Sequence, residues 1–125
     1  MPDKRILLVE DEPEISQLLG HTVRAAGYVV DVAATAGEAW TLLNTHAYSL
    51  VVADWRLPDG DGTLILDWAA DQGTATLLMS GYLFRMPGGR AERHQTLMKP
   101  LRPSEIVAAV EHSIGKPDIE CSTSD

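Results

Sequence analysis

Cysteine is almost missing from this chain. Cys121 is the only one, it lies in a polar stretch near the end, and it cannot form an internal disulfide. A lone solvated thiol fits a reducing cytoplasm. Positive charge is short as well, with 10 Lys and Arg against 18 Asp and Glu and a formal net charge of −8. Non-specific grip on nucleic acid depends on Lys and Arg neutralising phosphates, so that partner is not expected, and basic partners are easier to accommodate. Long hydrophobic runs are missing too. The first apolar stretch, Ile6 to Val9, meets Glu10, Asp11 and Glu12 at once. That is too short for a signal-peptide core or a membrane span, and a cytoplasmic protein without membrane attachment is expected. No internal repeat is visible.

What remains is the composition of an ordinary globular protein: 125 residues, 45% hydrophobic and 22% charged. That length suits one domain with its own core, here residues 1–116, followed by a polar tail at 117–125. Short β-branched apolar runs alternate with amphipathic stretches, as in a parallel sheet flanked by helices. The strand candidates are Ile6 to Val9, Tyr28 to Val32, Leu50 to Ala53, Thr76 to Met79 and Thr96 to Met98. A first helix opens at Pro13, turns Ile15, Leu18, Leu19, Thr22 and Ala26 inward, and stops at Gly27. A second is signalled by the capping box of Thr35 and Glu38, with Ala39, Trp40, Leu42 and Leu43 at helical spacing and Trp40 packing in the core. A third follows the turn Pro58-Asp59-Gly60-Asp61-Gly62 and presents Leu64, Ile65, Trp68 and Ala69 on one face, ending at Gly73. The last opens at Pro103 and buries Ile106, Val107, Val110 and Ile114. Between Gly81 and Gln95, Pro87, Gly88 and Gly89 penalise a helix interior, so a loop or a short helix is expected there.

In an open parallel sheet, sites form beyond the carboxyl ends of the strands. The residues following the strand candidates are Glu10, Asp11 and Glu12, then Asp54, Ser80 and Lys99. Clustered carboxylates raise one another's pKa and discourage ionisation unless a cation relieves them. Mg²⁺ takes oxygen ligands, commonly one or two carboxylates plus a phosphate, and Glu10, Asp11 and Asp54 suit it. A carboxylate can also attack phosphorus, and the transferred group then needs cations and donors around its oxygens, which Lys99 and the Ser80 hydroxyl can supply. The four histidines, His21, His46, His94 and His112, show no ligand spacing and are expected at the surface or on helix flanks.

The runs Ile6-Leu-Leu-Val-Glu-Asp-Glu-Pro13, Val51-Val-Ala-Asp-Trp-Arg-Leu-Pro-Asp-Gly-Asp-Gly62, Met79-Ser-Gly81 and Met98-Lys-Pro100 resemble response-regulator receiver domains, in matching order, over roughly residues 4 to 115. The resemblance implies a doubly wound, flavodoxin-like α/β fold with five parallel strands in the order 2-1-3-4-5, helices on both faces and a short or irregular fourth helix. It makes Asp54 the phosphoacceptor, Glu10 and Asp11 the acidic pair that holds Mg²⁺ directly or through water, and the Arg56 backbone carbonyl a further ligand. Ser80 becomes the hydroxyl that shifts toward the phosphoryl group. Lys99 becomes the cation that pairs with Asp54, and Lys99-Pro100 the family's cis peptide. Arg56 and Tyr82 match positions at the mouth of the site, and Trp55 is a partial lid or partner contact.

The implied donor is a phosphohistidine on a histidine kinase or phosphotransfer protein, and the output is docking to a protein target by a monomer or weak dimer. Such a domain promotes only its own phosphorylation and dephosphorylation and is not an enzyme toward other substrates. Two features depart from the pattern. Thr96 stands where the family usually carries Tyr or Phe, and the stretch between Ser80 and Lys99 is short. The relay must therefore differ, with Tyr82 or His94 as candidates to report the change, and the segment Gly81 to Gln95 is expected to order on phosphorylation or partner binding.

A haloacid-dehalogenase-type phosphatase would need an acid where Arg56 stands. A calcium loop on Asp59-Gly60-Asp61-Gly62 would need Leu57 and Trp68 to coordinate, which neither can. Two alternatives stay open: a receiver-fold binding module that acts without phosphorylation, and the receiver segment of a hybrid histidine kinase. A DNA-binding domain or attached enzyme has no room after Gly115 unless the chain is part of something longer.

Overall fold

The computed structural model describes residues 4–81, 94–99 and 101–116. In chain order these form β1 (Arg5–Val9), α1 (Pro13–Ala25), β2 (Val29–Ala33), α2 (Ala36–Thr45), β3 (Leu50–Asp54), β4 (Arg56–Leu57), β5 (Gly60–Asp61), α3 (Gly62–Asp71), β6 (Ala75–Ser80), β7 (Gln95–Met98) and α4 (Pro103–Ile114). One parallel sheet runs in the order β2-β1-β3-β6-β7, the second, first, third, fourth and fifth long strands of the chain, as expected. The pair β4 and β5 forms a short antiparallel ribbon that turn chemistry alone did not reveal.

Side-chain alternation along each strand divides the core into two layers. Ile6 and Leu8 of β1 face Leu19 and Val23 of α1 and Ile106 and Val110 of α4. Leu7 and Val9 face Ala39 of α2 and Ile65, Leu66 and Ala69 of α3. The central strand β3 is buried along its whole length, which is why it reads as a continuous apolar run ending in a lone acid.

Three helix faces differ from expectation. In α1 the buried stripe is Ser16, Leu19, Gly20 and Val23, whereas Leu18 is 48% exposed. Ser16 tolerates burial because its hydroxyl donates to the Pro13 carbonyl at 3.1 Å. In α3, Leu66 is buried, while Leu64 and Trp68 are 59% and 38% exposed. Trp40, half-buried against the α2–α3 layer, meets Trp68 edge-on with centroids 5.7 Å apart. In α4, Ile106, Ala109 and Val110 are fully buried, and Val107 and Ile114 only partly.

The ends of the helices are held by side chains. Thr35 caps α2 by accepting from the Glu38 N–H at 3.1 Å, and Glu38 reaches back to the Ala34 N–H rather than to Thr35 itself. A second cap comes from far along the chain, because the Asp59 carboxylate accepts from the Ala36 and Gly37 N–H groups at 2.8 and 3.0 Å. Asp61 caps α3 through the Thr63 N–H at 2.8 Å. The two acids of the Asp-Gly-Asp-Gly run therefore serve as helix caps. At the other end of the molecule, Lys4 donates to the Ile114 and Lys116 carbonyls, and the Tyr28 hydroxyl donates to that of Gly115.

Asp31 ties β1 and β2 to the start of β3, accepting from Arg5 Nε at 2.8 Å and from the Tyr48 hydroxyl at 2.7 Å. The Arg5 hydrogen bond is the main reason its carboxyl is held below the ordinary aspartate value of 3.8. A depressed folded-state pKa stabilises above the unfolded value and loses that contribution as pH falls through the folded one. Asp31→Asn is therefore expected to flatten the acid limb of the stability curve at and below pH 3.8, as read by thermal melts across pH.

Among the described residues no helix is long and apolar enough to cross a membrane. The irregular stretch expected after Gly81, apart from its last residues, and the tail at 117–125 lie outside the described residues.

Candidate functional site

The parallel register delivers the chemistry to one edge. Val9 pairs with Ala53, Asp54 with Met79, and Ser80 with Met98, so Glu10, Asp54, Ser80 and Lys99 leave adjacent strands side by side. The ladder continues through them, with Glu10 N–H donating to the Ala33 carbonyl, Trp55 N–H to Met79 and Lys99 N–H to Ser80. Their backbones are thus as fixed as the strands.

One ammonium bridges two buried acids. Lys99 Nζ lies 2.9 Å from Asp54 Oδ2 and 2.7 Å from Glu10 Oε1, with Glu12 further out at 3.8 Å. Glu10 and Asp54 are 1% and 8% exposed. Burial is the first cause of a raised pKa at both, and the adjacent Lys99 ammonium opposes it without cancelling it. For Lys99, burial works to lower the pKa, but the close carboxylates of Glu10 and Asp54 prevail and hold it above the ordinary lysine value.

Glu10 Oε2 accepts from the Glu12 N–H at 3.1 Å, whereas buried Oε1 has the Lys99 ion pair but no hydrogen bond of good geometry. Glu10, Asp11 and Asp54 each offer a carboxylate oxygen within 4.8 Å of the others. A half-satisfied buried carboxylate within an all-oxygen trio fits a small hard dication such as Mg²⁺.

A cavity of about 570 Å³ opens over this edge. Glu12, Asp54, Ser80 and Lys99 give its lining polar groups, Trp55 and Arg56 join them, and Ile15, Leu18, Leu19 and Leu101 supply apolar surface. The Arg56 guanidinium sits 5.9 Å from the centre of the Trp55 ring. Thr96 is half-buried on β7, and its hydroxyl is 3.4 Å from the His94 carbonyl. Tyr82 and Pro100, also expected near the site, lie outside the described residues.

The role of Gly62 beside the site was not foreseen, and neither was the burial of His94 at the far end of β7 from it. Gly62 donates its N–H to the Trp55 carbonyl at 2.7 Å, and a Cβ at this position would collide with the Asp54 backbone carbonyl. Its place in a glycine-rich turn masked that role. His94 was expected at the surface or on a helix flank, yet its side chain is fully buried. It is accommodated because Thr76 and Asp67 satisfy both ring nitrogens, partners that no local sequence spacing exposes.

A doubly wound parallel sheet with an acid trio, a hydroxyl and a lysine at its carboxyl edge defines an α/β signalling module of the receiver type. The family model described as the response regulator receiver domain matches residues 6–111, and the chain belongs to that family. It is 32% identical to the response regulator Rre1 of Synechocystis over 119 residues, covering 89% of this chain and 52% of that protein. It is 31% identical to the transcriptional regulatory protein CusR of Escherichia coli, covering 85% of this chain and 49% of that one. The chain thus spans about half the length of these two relatives. Among solved structures, a CheY-like receiver domain from Methanospirillum hungatei superposes with a TM-score of 0.78 at 27% identity, covering 87% of this chain and 91% of that one. TrrA of Thermotoga maritima, solved in complex with Mg²⁺ and BeF, gives 0.78 at 25% identity, covering 87% and 97%.

Proposed function

We propose that this receiver works as a Mg²⁺-dependent phosphorylation switch with Asp54 as the acceptor. The observation that carries it is the placement of one ammonium, Lys99 Nζ, within 2.9 Å of both a buried aspartate and a buried glutamate beside a cavity. Glu10, Asp11 and Asp54, with the Arg56 backbone carbonyl, would hold the metal, which when bound neutralises charge on the transferring phosphoryl oxygens.

In the proposed transfer, an Asp54 carboxylate oxygen forms a bond to phosphorus while the phosphorus–nitrogen bond of a donor phosphohistidine breaks. The electron pair leaves with the imidazole, which takes up a proton. Lys99 moves its charge from the carboxylate to a phosphoryl oxygen, and Ser80 donates its hydroxyl to another. Trp55 and Arg56 in the cavity lining set access to the phosphoryl group, and Tyr82 is assigned to the same role. The apolar lining of Ile15, Leu18 and Leu101 gives a donor kinase or phosphotransfer protein a seat beside the acceptor. Phosphorylation then shifts the population toward the arrangement with Ser80 and Lys99 drawn in, and that change is read by a downstream protein. The switching unit is residues 1–116.

Incubation with phosphoramidate and Mg²⁺, followed by intact mass spectrometry, tests this. Wild type gains one phosphoryl group, and Lys99→Met gains it about a hundredfold more slowly, the usual cost of removing one charge-stabilising donor. No gain on wild type would leave a phosphorylation-independent binding module instead.

A further inference from the structure

Strand β7 is an edge strand of four residues, none of them fully buried, and among the described residues it pairs with β6 alone. Yet it carries Lys99 at its exit, where a displacement of an ångström or two would break contacts of 2.7 and 2.9 Å to Glu10 and Asp54. Edge strands with little buried surface hold their register weakly. The packing of β7 itself rests on Leu97, partly buried against the α1–α4 layer, and leaves its entrance to be fixed by other contacts.

His94, at the entrance of β7, supplies that anchor. Its ring is fully buried, with Nε2 2.7 Å from Asp67 Oδ1 on α3 and Nδ1 2.6 Å from Thr76 Oγ1 on β6. An ionised carboxylate only accepts, so Nε2 donates to Asp67, and in the neutral ring Nδ1 is then free to take the hydrogen of the Thr76 hydroxyl. Both nitrogens are satisfied, and one ring ties the strand to helix α3 and to its neighbour β6. The register Leu77↔Gln95 through Ser80↔Met98 is thereby pinned at one end by His94 and at the other by the Lys99 N–H on the Ser80 carbonyl.

We propose that His94 is a positioning residue for the phosphoryl site, acting on Lys99 through β7 and linking that site to α3 through Asp67. The kinetic part rests on the phosphoacceptor role of Asp54, whereas the structural part does not. Because Thr96 offers no ring at its position on β7, this tie through His94 also gives the strand a route of communication to α3.

The test has two arms. In metal-free protein, hydrogen exchange at the Lys99 amide rises at least about tenfold in His94→Ala, while the amides of Leu7 and Val52 stay as in wild type. His94→Gln, which keeps a donor and an acceptor, restores most of the protection, and Thr76→Val, which removes one partner, gives a smaller rise. In the kinetic arm, His94→Ala slows phosphorylation by phosphoramidate about tenfold in the wild-type background and adds nothing to Lys99→Met. Unchanged protection at Lys99, or equal slowing in both backgrounds, overturns the proposal. If wild type accepts no phosphoryl group, the role of Asp54 fails and the exchange arm still decides that of His94. Should His94→Ala not fold, Thr76→Val and Asp67→Ala carry both arms.

Discussion

Asp54→Ala is expected to abolish Mg²⁺-dependent binding of beryllofluoride, which wild type binds. Beryllofluoride mimics a phosphoryl group by bonding a carboxylate oxygen; of the two acids that line the cavity, Asp54 is buried and 2.9 Å from Lys99, whereas Glu12 is exposed and 3.8 Å away. Alanine deletes the bonding atom, removes one of the three oxygen donors of the acid trio, and leaves Lys99 with Glu10 and the distant Glu12. The change can be followed by the fluorescence of Trp55, adjacent to the acceptor.

Asp54→Asn keeps the shape and should lose beryllofluoride equally. Its effect on the metal-free fold has the opposite sign. A carboxyl whose folded-state pKa is raised by burial contributes stability below its unfolded value and loses it as pH rises through the folded value. At neutral pH the ionised Asp54 is therefore a burden on the fold, and Asp54→Asn should melt higher than wild type without Mg²⁺. Adding Mg²⁺ should narrow or reverse that difference, because the ion stabilises only the chain that binds it.

Gly62→Ala has the largest expected effect on folding. The Asp54 backbone carbonyl occupies the space a methyl group would need. Backbone cannot swing aside as a flexible side chain does, so either β3 or the start of α3 must move. Overpacking of this kind costs about 3 kcal/mol, at the upper end of the usual range. Urea denaturation should show that loss, and beryllofluoride affinity should fall with it, since the carbonyl being pushed belongs to the acceptor itself. Ala at the neighbouring Gly60, whose nearest neighbour is the Ala36 Cβ at 4.0 Å, should be far milder.

These expectations show which parts of the molecule its sequence makes legible. Strands buried on both faces read as apolar runs, and in a parallel sheet the residue after each run lands on the same edge. Glu10, Asp54, Ser80 and Lys99 could therefore be brought together from one dimension. The direction of a helix face was less legible. Leu18 was assigned inward on apolarity alone, while the position that turns in belongs to Ser16, made compatible with burial by a bond to Pro13. The long-range ties were not legible at all. Asp59 caps a helix 22 and 23 residues earlier, and His94 finds its partners 18 and 27 residues away. Such pairings follow from the fold once formed and leave no periodic trace.

The most direct measurement of the central claim is the location of the phosphoryl group. The chain would be incubated with phosphoramidate and Mg²⁺, reduced with borohydride, which converts an aspartyl phosphate to homoserine, and mapped by peptide mass spectrometry. Homoserine at position 54 alone, dependent on Mg²⁺, is the predicted result. Homoserine at another acid, or none in wild type under conditions where the protein is folded, would contradict it.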